Sequence, residues 1–383
     1  MRAILLFFTI SLANPLWACT IFSAKDHLGQ VWAANNEDGA FTFYNYLNIF
    51  PKTEDTRYGY ITFCYDSPKN GSGGAVQGGV NEAGLFYDFN FIKSHPVSNL
   101  AQKQGFPAGD EAILTHLLPH FSSVEHVLHI INKYKFEYGF TSAQMHVADR
   151  YGQFAMISAA GRQLLTDSAY QLSTNFDICG GESDSTCWRY PIAKRMLRKG
   201  IAQQNIGLDL LKNICDSTAA KGWYSNHTLY SNIHNLSTGE LWLYYTSDYQ
   251  NPFKTSIGAL LDMGRKSLLI KDLFPEHPLS QLHQAYTQEG GAAAYEAYQD
   301  LELPEGRKEE IASIVVSALL ANNYDGTLLP FLDEHMKTKP FGYRKRVLQA
   351  SVYHQMGNTP KAVSIIKEYE REVPHTSMDI QGI

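Results

Sequence analysis

The sequence predicts an α+β fold: antiparallel sheets layered as helix, sheet, sheet, helix over residues 19–275, followed by an all-helical region over residues 280–383. Three observations predict it. Aromatic, β-prone runs are joined by short Gly/Asn/Asp turns, which signals hairpins rather than crossovers. Helical stretches fall in pairs between groups of strands, which favours α+β over a doubly wound parallel sheet. Past FPEHPL (274–279) the strand signals stop and helical periodicity takes over.

TIFSAKDHLGQVWAANN reads as a hairpin turning at Asp26 to Gly29. FTFYNYLNIF and YGYITFCYD read as further strands, and GGVNEAGLFYDFNF as a hairpin about Asn81 to Gly84. DEAILTHLLPHF is helical and broken at Pro119, since proline removes a backbone donor. SVEHVLHIINKYKF is helical with Ser123 as its cap. SAQMHVADRYGQFAMISAAG turns at Asp149 to Gly152, QLLTDSAYQLSTN runs into an Asx-rich turn, and TLYSNIHNLSTGELWLYY turns at Ser237 to Gly239. Between them, YPIAKRMLRKG and LDLLKNICDSTAA are helical. In the C-terminal region Tyr/Gly landmarks (286 and 290, 324 and 326, 353 and 357) are each followed by a second helix ending near Pro304, Pro340 and Pro374. Their average spacing resembles the roughly 34-residue tetratricopeptide helix pair. A plain helical cap is the other reading. If the repeats stack, a small groove for a protein partner is expected.

Of the 383 residues, 44% are hydrophobic and 18% charged, with a formal net charge of -6. That supports a sizeable core and gives no basic patch for nucleic acid. Residues 1–18, MRAILLFFTISLANPLWA, combine an early Arg2, an apolar stretch too short to span a bilayer, Pro15 and Ala18. They read as a signal peptide, so the chain is expected to be exported, with no membrane-spanning segment. In an oxidising compartment four of the five cysteines could pair and one is left over; Cys179 with Cys187 is one option among several.

Removing residues 1–18 makes Cys19 the first residue and puts a thiol and a free α-amine on one carbon. That amine has a reference pKa of about 7.7–8.0, so it accepts a proton near neutrality, and as a cation it acidifies the adjacent thiol. Nucleophile and base then come from one residue. Attack on a carbonyl creates an oxyanion that needs fixed donors, and the amine needs an acceptor. Asn35, Asn36, Glu37, Asp38, Asn90 and Asn175 are the residue types that could meet those needs.

Cys19-Thr20, Asp38 in "NNED", Asn81-Glu82-x-Gly84-Leu85 leading to Asn90, Ser173-Thr174-Asn175, and Arg189 in "STCWRY" occur in a characteristic order. Over about residues 19–270 that ordered set resembles the choloylglycine hydrolase and penicillin V acylase family of N-terminal nucleophile hydrolases, which act on linear amides. The resemblance implies the four-layer αββα sandwich and no cofactor. It implies Cys19 as nucleophile, its α-amine as proton shuttle and Asp38 as the acceptor orienting the amine. Asn90 and Asn175 would line the oxyanion site, and Arg189 would orient the surrounding groups. The implied reaction is thiolate attack on an N-acyl amide, release of the amine and hydrolysis of the thioester; acyl transfer to another amine is a variant. Many family members carry Arg sixteen residues after the Cys, where this chain has Asn35, and a neutral amide does not acidify a thiol by charge. That departure argues against a standard bile-salt substrate.

Each residue also has a plainer reading. Leu16-Trp17-Ala18-Cys19 resembles a lipobox, which would make Cys19 a lipid anchor on a binding protein. Asp38 lies in a turn-like NNEDG cluster where Asp often bonds its own backbone. Asn175 suits an Asx turn, and Arg189 opens a basic helix as a solvated charge. Asn35, Phe41 and Tyr87 are candidate substrate-binding residues, with Phe43 and Tyr44 beside them as apolar walls and the glycine-rich segment 71–79 bordering the mouth. The fourteen His and the cysteines show no metal-ligand spacing, so no metal is expected.

Overall fold

In a computed structural model the structure describes residues 19–65, 75–97, 102–107, 112–135, 140–165, 168–183, 187–221, 227–322, 329–337 and 343–372. The expected signal peptide, the landmarks Tyr324, Gly326, Pro340 and Pro374, and residues 71–74 of the glycine-rich segment lie outside these. The chain forms two compact units. Of the described residues, the first holds those within 19–39, 44–221 and 227–274, and the second holds 40–43 and those from Pro275 onward.

The first unit holds two antiparallel sheets. One has six strands in the order β10-β1-β2-β11-β12-β13: β1 (Thr20–Lys25), β2 (Val31–Gly39), β10 (Tyr170–Ser173), β11 (His227–Asn235), β12 (Glu240–Tyr245) and β13 (Phe253–Ser256). The other has eight, in the order β14-β3-β4-β5-β6-β7-β8-β9. Its strands are β3 (Asn45–Phe50), β4 (Tyr60–Tyr65), β5 (Ala75–Asn81), β6 (Phe86–Phe91), β7 (Ala143–Ala148), β8 (Phe154–Ser158), β9 (Gly161–Leu165) and β14 (Lys266–Leu269).

Helices cover the outer faces. Phe22, Ala34, Leu172, Ile233 and Trp242 of the first sheet pack on α3 (Arg189–Ala202) and α4 (Leu208–Thr218) through Ala193, Leu197, Leu211 and Ile214. Tyr87, Met145, Val147 and Ala155 of the second pack on α1 (Ala112–His120) and α2 (Val124–Lys133) through Ile113, Leu117, Val127 and Ile131. The inner faces meet at Phe63 on Tyr230, 5.5 Å between ring centroids, and Phe86 on His234, 5.6 Å. Side chains alternate between faces along a strand, so a strand covered on both sides carries two cores at once. That is why all nine residues of β2 are buried.

Ser123 caps α2 as expected, its hydroxyl accepting from the His126 amide. Two readings need correction. α1 is not broken by Pro119: the helix runs through it and ends one residue later at His120, so the missing donor interrupts no following turn. NNEDG is not a turn: its first four residues and Gly39 continue β2, paired with β1 on one side and β11 on the other. Polar composition mimics a loop here because the strand lines a polar interior. The FTFYNYLNIF strand also begins only at Asn45.

Among the described residues of the second unit, six helices form three successive pairs. They are α6 (Pro278–Glu289) with α7 (Gly291–Gln299), α8 (Glu305–Asn322) with α9 (Leu329–Lys337), and α10 (Tyr343–Gln355) with α11 (Thr359–Glu372); the short α5 (Ile257–Leu261) belongs to the first unit. Phe331 packs on Tyr295 and Tyr298, linking α7 to α9, and Ala350 meets Ala362 and Ile365 between α10 and α11. Among the described residues no helix is long and apolar enough to cross a membrane.

Candidate active site

β1 lies between β10 and β2, so its first residues are flanked by strands on both sides. Thr20 pairs with Asn36 and Ile21 with Asn35. One residue further, the same register sets Cys19 against Glu37. Glu37 in turn pairs with Tyr230 on β11, and Asn35 with Asn232. Phe63 of the opposite sheet stacks on Tyr230, so this row of side chains faces the space between the sheets. Asn36 faces the other way, donating to the Cys215 carbonyl at 2.8 Å beneath α4.

Cys19 is buried, and its Sγ donates a long 3.9 Å bond to the Asp38 carbonyl. Its own carbonyl accepts from Asn90 Nδ2 at 3.1 Å. Asp38 Oδ1 accepts from the Thr228 hydroxyl at 2.6 Å, and Oδ2 faces Arg189 Nη1 at 3.5 Å. A β-bulge between Thr228 and Tyr230 delivers the threonine, rather than Leu229, to the carboxylate. Arg189 Nη2 donates to Asn175 Oδ1 at 2.7 Å, and Asn175 Nδ2 donates to the Phe91 carbonyl at 2.9 Å. Phe91 follows Asn90, so Cys19, Asp38, Arg189, Asn175 and Asn90 close a circuit of contacts. Arg189 is not a solvated charge: only 5% of it is exposed. It stands at the first turn of α3, where the helix dipole disfavours a cation, and the buried Asp38 outweighs that penalty.

Electrostatically the circuit holds more acid than base. Burial raises Asp38 to about 7 despite the opposing Arg189 charge and the Thr228 hydrogen bond. Burial likewise raises Glu37, with Asp38 adding to the effect, and Asp88, with Glu37 adding. The Cys19 thiol is pushed well above its ordinary value by burial first, then by Glu37 and Asp38. In this geometry the resting sulfur is a thiol, and a thiolate needs either a cation beside it or a partner to take the proton. Burial would raise the Cys187 thiol too, but the Arg189 charge and hydrogen bonds from Thr174 and the local backbone bring it below the usual value.

Of the eight residues singled out in the sequence, five share the circuit and Asn35 adjoins it, donating to Glu37 Oε2 at 3.2 Å. Asn35 is fully buried, as Asn90 and Asp38 are. Tyr87 faces away from Asn90: it is an odd position on β6, buried in the helix-covered core with its hydroxyl donating to the Leu114 carbonyl. Phe41 belongs to the second unit, buried and edge-on to Phe43 at 5.0 Å, and Phe43 packs on His283 at 4.2 Å. Asn90 and Asn175 both spend their donors on backbone carbonyls in this geometry, so an oxyanion would have to displace those bonds. None of the five cysteines is in a disulfide, Cys179 and Cys187 included. Asp88, Thr228 and Tyr230 were missed, and Glu37 was named among the polar candidates without a role of its own. The signal for Glu37 lay in strand parity: in an antiparallel pair the residue opposite Cys19, and not Asp38 beside it, shares its face. Among the described residues no group of three or more His, Cys, Asp or Glu could hold a metal ion.

Several solved structures are similar to this chain. A variant of the conjugated bile acid hydrolase from Clostridium perfringens aligns at 14% identity and TM-score 0.49, over 65% of this chain and 96% of that one. A second mutant of that enzyme aligns at 15% identity and TM-score 0.48, over 65% and 95%. Penicillin V acylase from Agrobacterium tumefaciens aligns at 13% identity and TM-score 0.46, over 65% and 90%. No protein-family model matches the chain, and no curated protein sequence does.

Proposed function

We propose that this chain is an exported amidase of the N-terminal nucleophile class, akin to the choloylglycine hydrolases and penicillin V acylases, that cleaves the C–N bond of an N-acylated small molecule. The observation that carries this reading is the circuit joining Cys19, Asp38, Arg189, Asn175 and Asn90, the same residues that the motif order picks out. Release of residues 1–18 frees the α-amine of Cys19, with the Asp38 carboxylate as its acceptor. Thiolate attack on the amide carbonyl forms a thioester; the amine leaves with a proton, and water completes the cycle. Asn90 and Asn175 reorient from their backbone partners to the oxyanion, and Arg189 holds Asp38 and Asn175 in place. The three helix pairs of the second unit are read as tetratricopeptide-like.

The test is amine release from a panel of N-acyl amides by protein whose N-terminus has been confirmed as Cys19 by intact mass. Cys19→Ser is expected to lower the rate by at least about 1,000-fold with the unfolding transition unchanged, the scale on which loss of a nucleophile acts. An unaltered rate, or a lipid adduct on Cys19, would defeat the reading.

A further inference from the structure

The carboxyl group that shares a face with the sulfur is Glu37, and it plays no part in the scheme above. It lies across the strand pair from Cys19, where facing side chains stand about 5 Å apart at Cβ. Asp38, one residue on, points to the opposite face of β2 toward Thr228 and Arg189. Glu37 is 1% exposed. Its Oε2 is held by the Asn35 amide, while Oε1 has no hydrogen-bond partner among the described residues. A buried acceptor left bare costs about 1–3 kcal/mol, so a fold does not aim one at a thiol without compensation. The thiol's bond to the Asp38 carbonyl is at the long limit for sulfur, which leaves Oε1 as the competing acceptor.

We propose that Glu37 is the proton acceptor of the Cys19 thiol, oriented by Asn35, so that Cys19, Glu37 and Asn35 form a nucleophile, base and orienter across β1 and β2. This rests on the reading of Cys19 as the nucleophile. In the step, the S–H bond breaks and the proton passes to Glu37 Oε1, so thiol and carboxylate become thiolate and carboxylic acid with no change in net charge. When the tetrahedral intermediate collapses and the C–N bond breaks, the same proton passes to the departing nitrogen. Atoms and charge balance without any further reactant.

The groups facing Glu37 make the transfer feasible. Cys19 approaches from β1, Asp38 adjoins it on β2, Asp88 projects from β6 and Tyr230 stands beside it on β11, its hydroxyl also without a partner. Among the described residues no side-chain cation acts on Glu37; Arg189 is engaged with Asp38 and Asn175. Burial first, with Asp38 adding, raises the carboxyl to about 8, close to an ordinary thiol, so above that pH it stands as a carboxylate able to take the Cys19 proton. Because the acceptor is a side chain, the thiol gains a base that does not depend on a free N-terminus. In the full-length chain, where the Cys19 nitrogen is still an amide, the sulfur should already be reactive.

The experiment measures alkylation of Cys19 by iodoacetamide between pH 6 and 9 in the full-length chain, read by mass spectrometry of its peptide, alongside kcat and KM of the Cys19-terminal protein. Glu37→Gln is expected to slow alkylation at pH 8 by about tenfold or more and to lower kcat by about 100-fold with KM unchanged, as loss of a general base does. Glu37→Asp should recover part of both. Alkylation as fast as in the parent chain, or faster as expected if Glu37 merely repels a thiolate, would overturn the proposal. If Glu37→Gln fails to fold, Asn35→Ala is read instead: it frees the carboxyl and should slow alkylation in the same direction, and a parental rate overturns the idea. The two readings fail separately. An active Cys19→Ser sinks the amidase, whereas a parental Glu37→Gln beside a dead Cys19→Ser sinks only the base.

Discussion

Thr228 shows how one side chain governs the acid behind Cys19. Its hydroxyl donates to Asp38 Oδ1 at 2.6 Å and accepts from the Ala220 amide at 2.8 Å, and all of this is buried. Thr228→Val keeps the shape but strands both a carboxylate oxygen and an amide donor. The expected cost is about 2–4 kcal/mol in denaturant unfolding, since each abandoned buried partner is worth about 1–3 kcal/mol. A loss below about 1 kcal/mol would show that Arg189 alone satisfies the acid. At this scale the sequence was informative about Cys19, Asp38 and Asn90, because their chemistry is tied to residue type and order. It was silent about Thr228, whose place depends on a bulge, and it misplaced Tyr87, whose aromatic character fits a pocket wall and a core equally well.

Among the elements, the β5–β6 hairpin carries Asn90 into the site, and its turn is held by two residues that the sequence marked as a turn. Asn81 accepts from the Leu85 amide and donates to the Leu118 and Phe121 carbonyls, tying the turn to the end of α1. Gly84 adopts φ +80°, and a Cβ there would lie 2.4 Å from the Leu236 carbonyl oxygen and 2.8 Å from Arg150 Cβ. Gly84→Ala therefore meets both backbone strain and a collision with main chain, and should cost about 2 kcal/mol or more in unfolding free energy. Gly161→Ala, where a Cβ would have nothing within 4 Å, should stay within about 0.5 kcal/mol. Equal effects at the two positions would refute this account. Hairpins of this kind were legible because turn residues and alternation agree. The end of β2 was not, since burial on both faces abolishes alternation and its polar NNEDG run imitates a loop.

Across the first unit, the two sheets are joined at a buried seam in which His146 of β7 shares hydrogen bonds with Ser23 of β1 at 2.9 Å and Ser173 of β10 at 3.0 Å. Burial lowers this imidazole from 6.5 to about 3, so it is neutral in the folded protein. The unfolded chain then binds more protons than the folded one between those values, and the imidazole's contribution, intact above about pH 6.5, drains away as pH falls toward 3. Between pH 7 and 5 the loss is about 2 kcal/mol. Buried acids such as Asp38 change in the opposite sense, so the term is isolated by comparison. The parent chain should lose about 2 kcal/mol more than His146→Gln when urea unfolding is repeated at pH 5, and equal losses would dismiss the seam as a pH-sensitive joint. The Ser23–His146 contact, 123 residues apart along the chain, leaves no trace in local periodicity. The antiparallel layering did, through hairpin spacing and paired helices.

Trp188 precedes Arg189 and is 55% exposed, with the guanidinium carbon 5.7 Å from its ring centre. Trp32 and Trp242, by contrast, are buried against one another at 5.8 Å. Of these three indoles, only one therefore meets water, and it borders the cation that links Asp38 to Asn175. The chain thus carries a built-in optical probe: a compound settling over that arginine would shift or quench the red-edge emission, so occupancy becomes visible before any bond is cut.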